Sequence, residues 1–445
     1  MVGFIHTFQM KNKYMGFDPL SKTLLILDSK EVEVINKIKR NAPLTLSERQ
    51  MLSEIQKTLD SKRENVNPII VPAEINPNMM VLMVSQTCNM KCAYCYACEG
   101  TYTKPGILRI ELGKRALDIA NELGVGTVQF YGGEPLLNFD SIEKLVEYAD
   151  INGYKFRYGI VTNGTLINRR IADFFTQYDF EVTVSVDGPQ VVNDLNRKYK
   201  NGKGTYTDII KGLELLNERS IKLALEVTYA RNYIQKYSIR DILSHLSKYS
   251  KTFVVGYVLP SVQFQNNIIR DKYALKEAEI EEFLKELVDY LFDKWEEGIP
   301  IKEMGICRIL REILDPEYHV KTYICSEMPL RITVFHDGDV YPCHQTYLDR
   351  RFYLGNIKDK DFTKLLTEKM SRAAEHFTMS KLKLHDAWFS NLGDFCRIHL
   401  KEKVNGTYVP KYPRAYERTF EHILYNVATR DMKKVIETLG GNIVG

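Results

Sequence analysis

The chain has no polybasic arm, no low-complexity tract, no internal repeat, and no apolar run approaching the roughly 20 residues that span a bilayer. Its 61 Lys and Arg nearly balance 57 Asp and Glu, leaving a net charge of +4. That is too small and too dispersed for the electrostatic footprint of a nucleic-acid binder. The opening residues Met1-Val2-Gly3-Phe4-Ile5-His6 carry neither the basic flank nor the apolar core of a secretory signal. The expectation is a cytoplasmic protein with no membrane and no nucleic-acid partner. What is present, 44% hydrophobic and 27% charged residues in a chain of 445, is globular material sufficient for two or three domains. Eight cysteines in a reducing compartment argue against a disulfide framework and for metal or redox work.

Three of those cysteines stand together. Cys88, Cys92 and Cys95 form a C-x3-C-x2-C triad just after the apolar run Val81-Leu82-Met83-Val84. Three thiolates on a tight loop hold three corners of a four-iron cluster and leave one iron open, whereas a closed site needs a fourth protein ligand. On spacing alone, a zinc loop or buried free thiols remain alternatives. The stretch Cys88-Asn89-Met90-Lys91-Cys92-Ala93-Tyr94-Cys95-Tyr96 resembles the signature of the radical S-adenosylmethionine (SAM) superfamily, including an aromatic directly before the third cysteine. The resemblance implies a 4Fe-4S cluster on Cys88, Cys92 and Cys95, whose open iron chelates SAM and delivers the electron that breaks its S–C5′ bond.

From Met79 onward, short apolar runs alternate with amphipathic stretches, which predicts repeated βα units around a parallel sheet. Six strands are expected, over 81–85, 127–131, 158–162, 181–186, 222–228 and 252–258, with helices over 112–123, 142–149, 168–175 and 206–217. The fold class is α/β, a partial (β/α)6 barrel over 79–300 with ligand-binding loops at the carboxyl ends of the strands. Those loops carry Gly132-Gly133-Glu134-Pro135, Thr162-Asn163-Gly164 and Ser185-Val186-Asp187-Gly188-Pro189, with Arg197 further on. By resemblance, Glu134 in the GGE motif contacts the SAM amino group, Arg197 pairs with its carboxylate, and the other two loops lie near its ribose and methionine parts. The expected SAM site is Tyr94, Gly132, Gly133, Glu134, Thr162, Asn163, Ser185, Asp187 and Arg197.

After a helical stretch over 278–295 comes a second cysteine set: Cys307, Cys325, Cys343 and Cys396. Arg331-Ile332-Thr333-Val334-Phe335 and Val340-Tyr341 flank His336-Asp337-Gly338-Asp339, which predicts a hairpin with Asp-Gly at its turn. The segment from Cys325 to Gly355-Asn356-Ile357 resembles the SPASM auxiliary-cluster domain of peptide-modifying radical SAM enzymes. That domain continues with a C-x2-C-x5-C-x3-C cassette; counted back from Cys396, this chain has Lys383, Asp386 and Leu392 at the first three cysteine positions. The departure implies one auxiliary 4Fe-4S cluster within a 301–400 domain and the loss of a second; its ligands are Cys325, Cys343 and Cys396, with Cys307 as the fourth, the alternative for Cys307 being a buried thiol that leaves one iron open. Cys98 reads as a small side chain beside the first cluster rather than a functional thiol.

Residues 1–64 form a β-plus-helix module, with Ser47 and Gln50 as a capping-box start for its second helix, and 65–78 is a linker. The layout resembles a winged-helix-like element that captures a leader peptide as an added strand. A helical segment over 401–445 closes the chain. The resemblance as a whole implies a maturase that abstracts hydrogen from a ribosomally made precursor peptide through a 5′-deoxyadenosyl radical, is fed by a flavodoxin or ferredoxin, and forms a Cys-to-carbon thioether. The alternatives are epimerisation, carbon-carbon crosslinking, formylglycine formation in a sulfatase, a small-molecule radical SAM reaction for which the N-terminal module has no obvious use, and a non-catalytic zinc or iron-sulfur peptide scaffold. Sulfatase maturases place a carboxylate base right after the hairpin cysteine, where this chain has His344.

Overall fold

The computed structural model describes residues 5–63, 69–70, 75–258, 272–315, 319–320, 323, 325, 330–378, 387–390, 392, 401–404, 407–410 and 414–440. Six parallel strands run in chain order across the sheet: Met79–Ser85, Thr127–Gly132, Arg157–Thr162, Glu181–Ser185, Lys222–Tyr229 and Thr252–Tyr257. These are the expected barrel strands, with boundaries moved by two residues at most. Val81 through Val84 are essentially fully buried, as a strand covered on both faces requires. The intervening helices include Ile110–Glu122, Phe139–Ile151, Arg169–Gln177 and Tyr206–Asn217, and Asn168 caps the third by accepting the Ile171 N–H at 3.1 Å.

Both edges of this barrel are extended by strands from later in the chain. Lys302–Glu303 adds in parallel to Thr252–Tyr257, and Arg331–Val334 adds in parallel to Met79–Ser85. The chain then turns back through the expected hairpin to Asp339–Tyr341 and Gly355–Asn356, completing a ten-stranded sheet. Gly338 sits at φ +92° in the turn, a conformation glycine adopts without strain.

The N-terminal strands His6–Met10, Lys13–Asp18 and Thr23–Leu27 form an antiparallel sheet backed by helices Ser29–Lys39 and Leu46–Arg63. Ile5, Leu27, Ile35, Ile55 and Leu59 give it a small core of its own, while Phe8, Met15 and Phe17 join the main one. The second helix starts differently from expectation. Its capping box is Thr45 with Glu48, whose reciprocal bonds measure 2.8 and 3.3 Å, so Ser47 and Gln50 fall inside the helix. The module is bolted down: Arg63 pairs with fully buried Asp18 at 2.7 Å, and His6 reaches Glu421 of the C-terminal helix Arg414–Thr429 at 2.8 Å. Within the expected linker, Ile69–Ile70 pairs in parallel with His319–Val320. No helix among the described residues is long and apolar enough to cross a membrane.

Candidate active site

A cavity of about 320 Å³ opens at the carboxyl ends of the barrel strands. Its wall includes all three triad cysteines together with Tyr94, Gly132, Gly133, Thr162, Asn163, Ser185 and Arg197. Seven of the nine expected SAM contacts therefore face one space. The other two, Glu134 and Asp187, are fully buried behind it. The Glu134 carboxylate accepts bonds from Thr162 Oγ1 (2.6 Å) and from the N–H groups of Asn163 (2.7 Å) and Leu136 (2.9 Å). As placed, it ties one loop to the next rather than lining the cavity. Its motif carries no signal for this, because a carboxylate after paired glycines suits either task.

The paired glycines have a steric reason. A Cβ on Gly132 would lie 2.1 Å from Ser85 O, and one on Gly133 would lie 2.4 Å from Thr87 O. The close approach is fixed by Gly133 N–H to Ser85 O at 2.7 Å and Glu134 N–H to Thr87 O at 2.8 Å. The glycine loop thus presses on the backbone that leads directly into Cys88. Asn163 reaches the same loop, with Nδ2 2.8 Å from Asn89 Oδ1 and 3.8 Å from Cys88 Sγ, and the Met90 N–H lies 3.4 Å from that sulfur.

The triad suits a cluster better than one ion. A tetrahedral zinc, with Zn–S bonds near 2.3 Å, needs sulfurs roughly 3.8 Å apart. Among the described residues the three-ligand group converging within 4.8 Å is His6, Glu417 and Glu421, at the N-terminal module. Burial pushes the Cys88 thiol up to about 11 and the Cys92 thiol up to about 12. The cationic side of the cavity wall is equally specific. Arg197 is 6% exposed, its Nη1 donates to the Tyr94 hydroxyl at 3.1 Å, and its buried Nε has no partner. Tyr94 in turn donates to Asp187, which also accepts the Thr228 N–H at 3.2 Å. Burial works against the Arg197 charge, but Tyr94, Cys92 and Asp187 hold it firmly protonated. A buried guanidinium with a donor to spare, in the same wall as the triad cysteines, fits a cofactor that carries a carboxylate.

The second cysteine set reaches the cavity through the two residues after Cys343. Gln345 lines it with a buried, unpartnered amide oxygen, and His344 stacks on Tyr131 at 4.9 Å. Cys307 sits in the helix Met304–Leu314 beside Glu303, where burial pushes its thiol up to about 12. Cys325 is half-buried, and Cys396 lies outside the described residues. Sequence reasoning missed Glu226, which lines the cavity and accepts from Ser185 Oγ at 2.8 Å; its position inside a strand gives no motif. It also missed the tyrosines Tyr96, Tyr102, Tyr131 and Tyr257 on the wall.

The comparisons agree with this arrangement. Residues 82–248 match the model of the radical SAM superfamily, and residues 325–390 match that of an iron-sulfur cluster-binding domain, SPASM. The chain is similar to an uncharacterized protein of Methanocaldococcus jannaschii, 31% identical over 293 residues and spanning 91% of it. It is also similar to a cysteine-type anaerobic sulfatase-maturating enzyme of Clostridium perfringens, 27% identical over 381 residues, covering 79% of this chain and 98% of that one. Among solved structures, native anSMEcpe with bound AdoMet and Kp18Cys peptide superposes with a TM-score of 0.67 at 26% identity, over 79% of this chain and 99% of that one. Streptococcus suis SuiB shares the fold, with a TM-score of 0.55 at 16% identity over 89% and 95% of the two chains. With its cavity built around an open cysteine triad and an iron-sulfur domain joined to one sheet edge, the chain belongs to the radical SAM superfamily and is a SPASM-type radical SAM enzyme whose cofactors are SAM and 4Fe-4S clusters.

Proposed function

We propose that this enzyme modifies a ribosomally made precursor peptide and that its product is a thioether between a cysteine sulfur and a carbon. The observation that carries the reading is the shared cavity: residues of the triad loop and Gln345, two places after Cys343, face the same space. On this reading Cys88, Cys92 and Cys95 hold the SAM cluster, Arg197 and the Gly132-Gly133 loop bind SAM, and Cys307, Cys325, Cys343 and Cys396 hold the auxiliary cluster. When bound, the SAM cluster supplies a carbon radical able to remove hydrogen from an unactivated carbon. The chain's part is to orient the peptide, exclude water and oxygen, and set the second cysteine site beside the reacting atoms. Forming a thioether removes two hydrogens, one as an atom and one as a proton plus an electron, so the reaction needs an electron acceptor next to the cavity.

The leader would add as a strand to the N-terminal sheet. The edge strand Thr23–Leu27 pairs on one side, with Lys13–Asp18, and Ile26 on it is 59% exposed. The electron donor would be a reduced flavodoxin or ferredoxin.

A second reading, formylglycine formation in a sulfatase, is favoured by the similarity to the sulfatase-maturating enzyme along nearly all of its length. The test is anaerobic incubation of the reconstituted enzyme with candidate precursors and with a sulfatase-derived cysteine peptide, read by mass spectrometry. A product that loses two hydrogens and resists thiol alkylation supports the thioether. A product that loses sulfur and gains a hydroxylamine-reactive aldehyde replaces it with the second reading. Cys343→Ala should still cleave SAM yet give no modified peptide; unchanged product would remove the auxiliary site from the mechanism.

A further inference from the structure

Three phenols share the wall of the cavity with the triad cysteines. Tyr96 comes directly after Cys95, Tyr102 lies on the same loop, and Tyr131 sits near the end of the second barrel strand. Their hydroxyls form one connected group: the Tyr96 oxygen lies 3.0 Å from that of Tyr102 and 3.3 Å from that of Tyr131. Tyr102 is fully buried. The loop is held in a costly backbone form, with Cys98, Glu99, Tyr102 and Thr103 all at φ between +50° and +67°, a region that L-residues other than Gly, Asn and Asp seldom occupy. Such strain persists where surrounding structure over-determines it. Here Gln86 holds the loop from beneath, its Nε2 donating to Thr101 O (3.3 Å) and Lys104 O (3.1 Å). Hydrophobic packing alone would be served by phenylalanine, which leaves no hydroxyl to satisfy inside the wall.

An enzyme that makes a carbon radical must survive making it with no substrate in place. A phenolic O–H is a weaker bond than the aliphatic C–H bonds of the surrounding protein, so it is the group from which the radical most readily takes hydrogen. A phenoxyl oxygen is also stabilised by hydrogen bonds from neighbouring hydroxyls, and the connected group supplies them. We propose that Tyr96, Tyr102 and Tyr131 form a quenching site that donates a hydrogen atom to the 5′-deoxyadenosyl radical when the cavity holds no peptide. The step balances. One phenolic O–H bond breaks and one C–H bond forms at the 5′ carbon, giving 5′-deoxyadenosine and a tyrosyl radical. The low-potential donor that already drives SAM cleavage then returns one electron, solvent returns one proton, and the phenol is restored. The inference rests on the radical SAM chemistry of the family and not on the identity of the peptide or of its product.

Phenolic hydrogens exchange with solvent and aliphatic ones do not, so the source of the hydrogen can be read directly. The reconstituted enzyme is exchanged into D2O, supplied with SAM and reductant without peptide, and the 5′-deoxyadenosine is analysed for deuterium. Wild type should yield product carrying one deuterium, together with a freeze-quenched organic radical signal whose hyperfine pattern changes on incorporation of ring-deuterated tyrosine. In Tyr96→Phe/Tyr102→Phe/Tyr131→Phe, shown by iron content and equilibrium SAM binding to be loaded, that deuterium should be lost and 5′-deoxyadenosyl adducts on the protein should appear. The isotope content is read per product molecule, so it does not depend on how fast the variant turns over. Undeuterated product from the wild type overturns the proposal. So does deuterium that persists in the triple variant, and persistence there with loss in Cys98→Ala would assign the hydrogen to that thiol instead.

Discussion

Substituting Gly133 by Ala adds one methyl group where two backbones meet. The new Cβ would lie 2.4 Å from Thr87 O, 2.7 Å from Thr87 C and 2.9 Å from Gly100 Cα. None of these is the end of a flexible side chain, so relief requires the glycine loop to retreat by about 1 Å to reach ordinary contact near 3.5 Å. That retreat stretches two short backbone bonds, Gly133 N–H to Ser85 O at 2.7 Å and Glu134 N–H to Thr87 O at 2.8 Å. Overpacking costs about 1–3 kcal/mol, and each buried group left unpaired adds about 1–3 kcal/mol. The expected loss at the junction of the glycine and cysteine loops is roughly 3–5 kcal/mol, or roughly two to four orders of magnitude in SAM affinity. Equilibrium SAM binding by the reconstituted protein, together with its iron content, measures this. Gly124→Ala is the control: Gly124 has φ +69° but nothing within 4 Å of its Cβ position, so it should cost only about 1–2 kcal/mol of backbone strain and leave SAM binding alone. If Gly133→Ala binds SAM like wild type, the glycines are not there for close approach, and the steric argument fails.

Other consequences can be measured alongside. Arg197→Lys keeps the charge but loses the planar fork, and should weaken SAM binding by about 10- to 100-fold; unchanged binding would mean the carboxylate docks elsewhere. Asp18→Asn removes one partner of the buried pair with Arg63 and should cost about 3–5 kcal/mol, read as loss of cooperative melting of the N-terminal module. Burial alone would raise the Asp18 carboxyl, but Arg63 and Ser21 bring it below its ordinary value of 3.8. That stability is therefore complete above 3.8 and is lost as pH falls through the lowered folded value. Anaerobically reconstituted protein should hold about eight irons, falling to about four when Cys88, Cys92 and Cys95 are all replaced by Ala; about twelve would reveal a further cluster, and about four in wild type would remove the auxiliary one.

The barrel was legible because each of its strands is a short apolar run between turns, and burial on both faces leaves little freedom in where such a run begins and ends. The site was legible where a motif comes directly after a strand, as the triad, Gly132-Gly133, Thr162-Asn163 and Ser185 do. Roles were harder to read than positions. Whether Glu134 faces the cavity or braces it depends on which neighbouring N–H groups converge on it, and the N–H of Asn163 comes from a different βα unit. Glu226 stayed hidden for a related reason: in Lys222–Tyr229 a polar residue between apolar neighbours reads as an outward face, and only barrel curvature turns it to the mouth. The edge pairing of Arg331–Val334 with Met79–Ser85 joins segments about 250 residues apart, beyond any local signal.

That edge pairing has a consequence that tests how the two cysteine sites depend on each other. The hairpin tip it delivers grips the triad loop at Gln86, which is fully buried two residues before Cys88. Gln86 Oε1 accepts from the His336 N–H at 3.3 Å and from His336 Nδ1, while its amide nitrogen holds Thr101 O and Lys104 O. Because Oε1 can only accept, Nδ1 carries hydrogen, and burial holds the imidazole below its ordinary value of 6.5, favouring the neutral ring. For a histidine shifted in this direction the unfolded state binds the proton first, so the contribution is complete above 6.5 and is lost as pH falls toward the lowered folded value. Gln86→Leu preserves bulk but strands the two loop carbonyls and the His336 donors, a cost of about 2–5 kcal/mol. It should lower the melting temperature and perturb the spectra of both clusters rather than one. Asp337→Asn is the matched comparison. Its ion pair with Lys104, which is half exposed, lies at the same tip yet is worth about 0–1 kcal/mol, so it should change little. If Gln86→Leu disturbs the triad cluster and leaves the auxiliary one intact, the hairpin does not couple the two sites, and the sheet edge serves only to close the barrel.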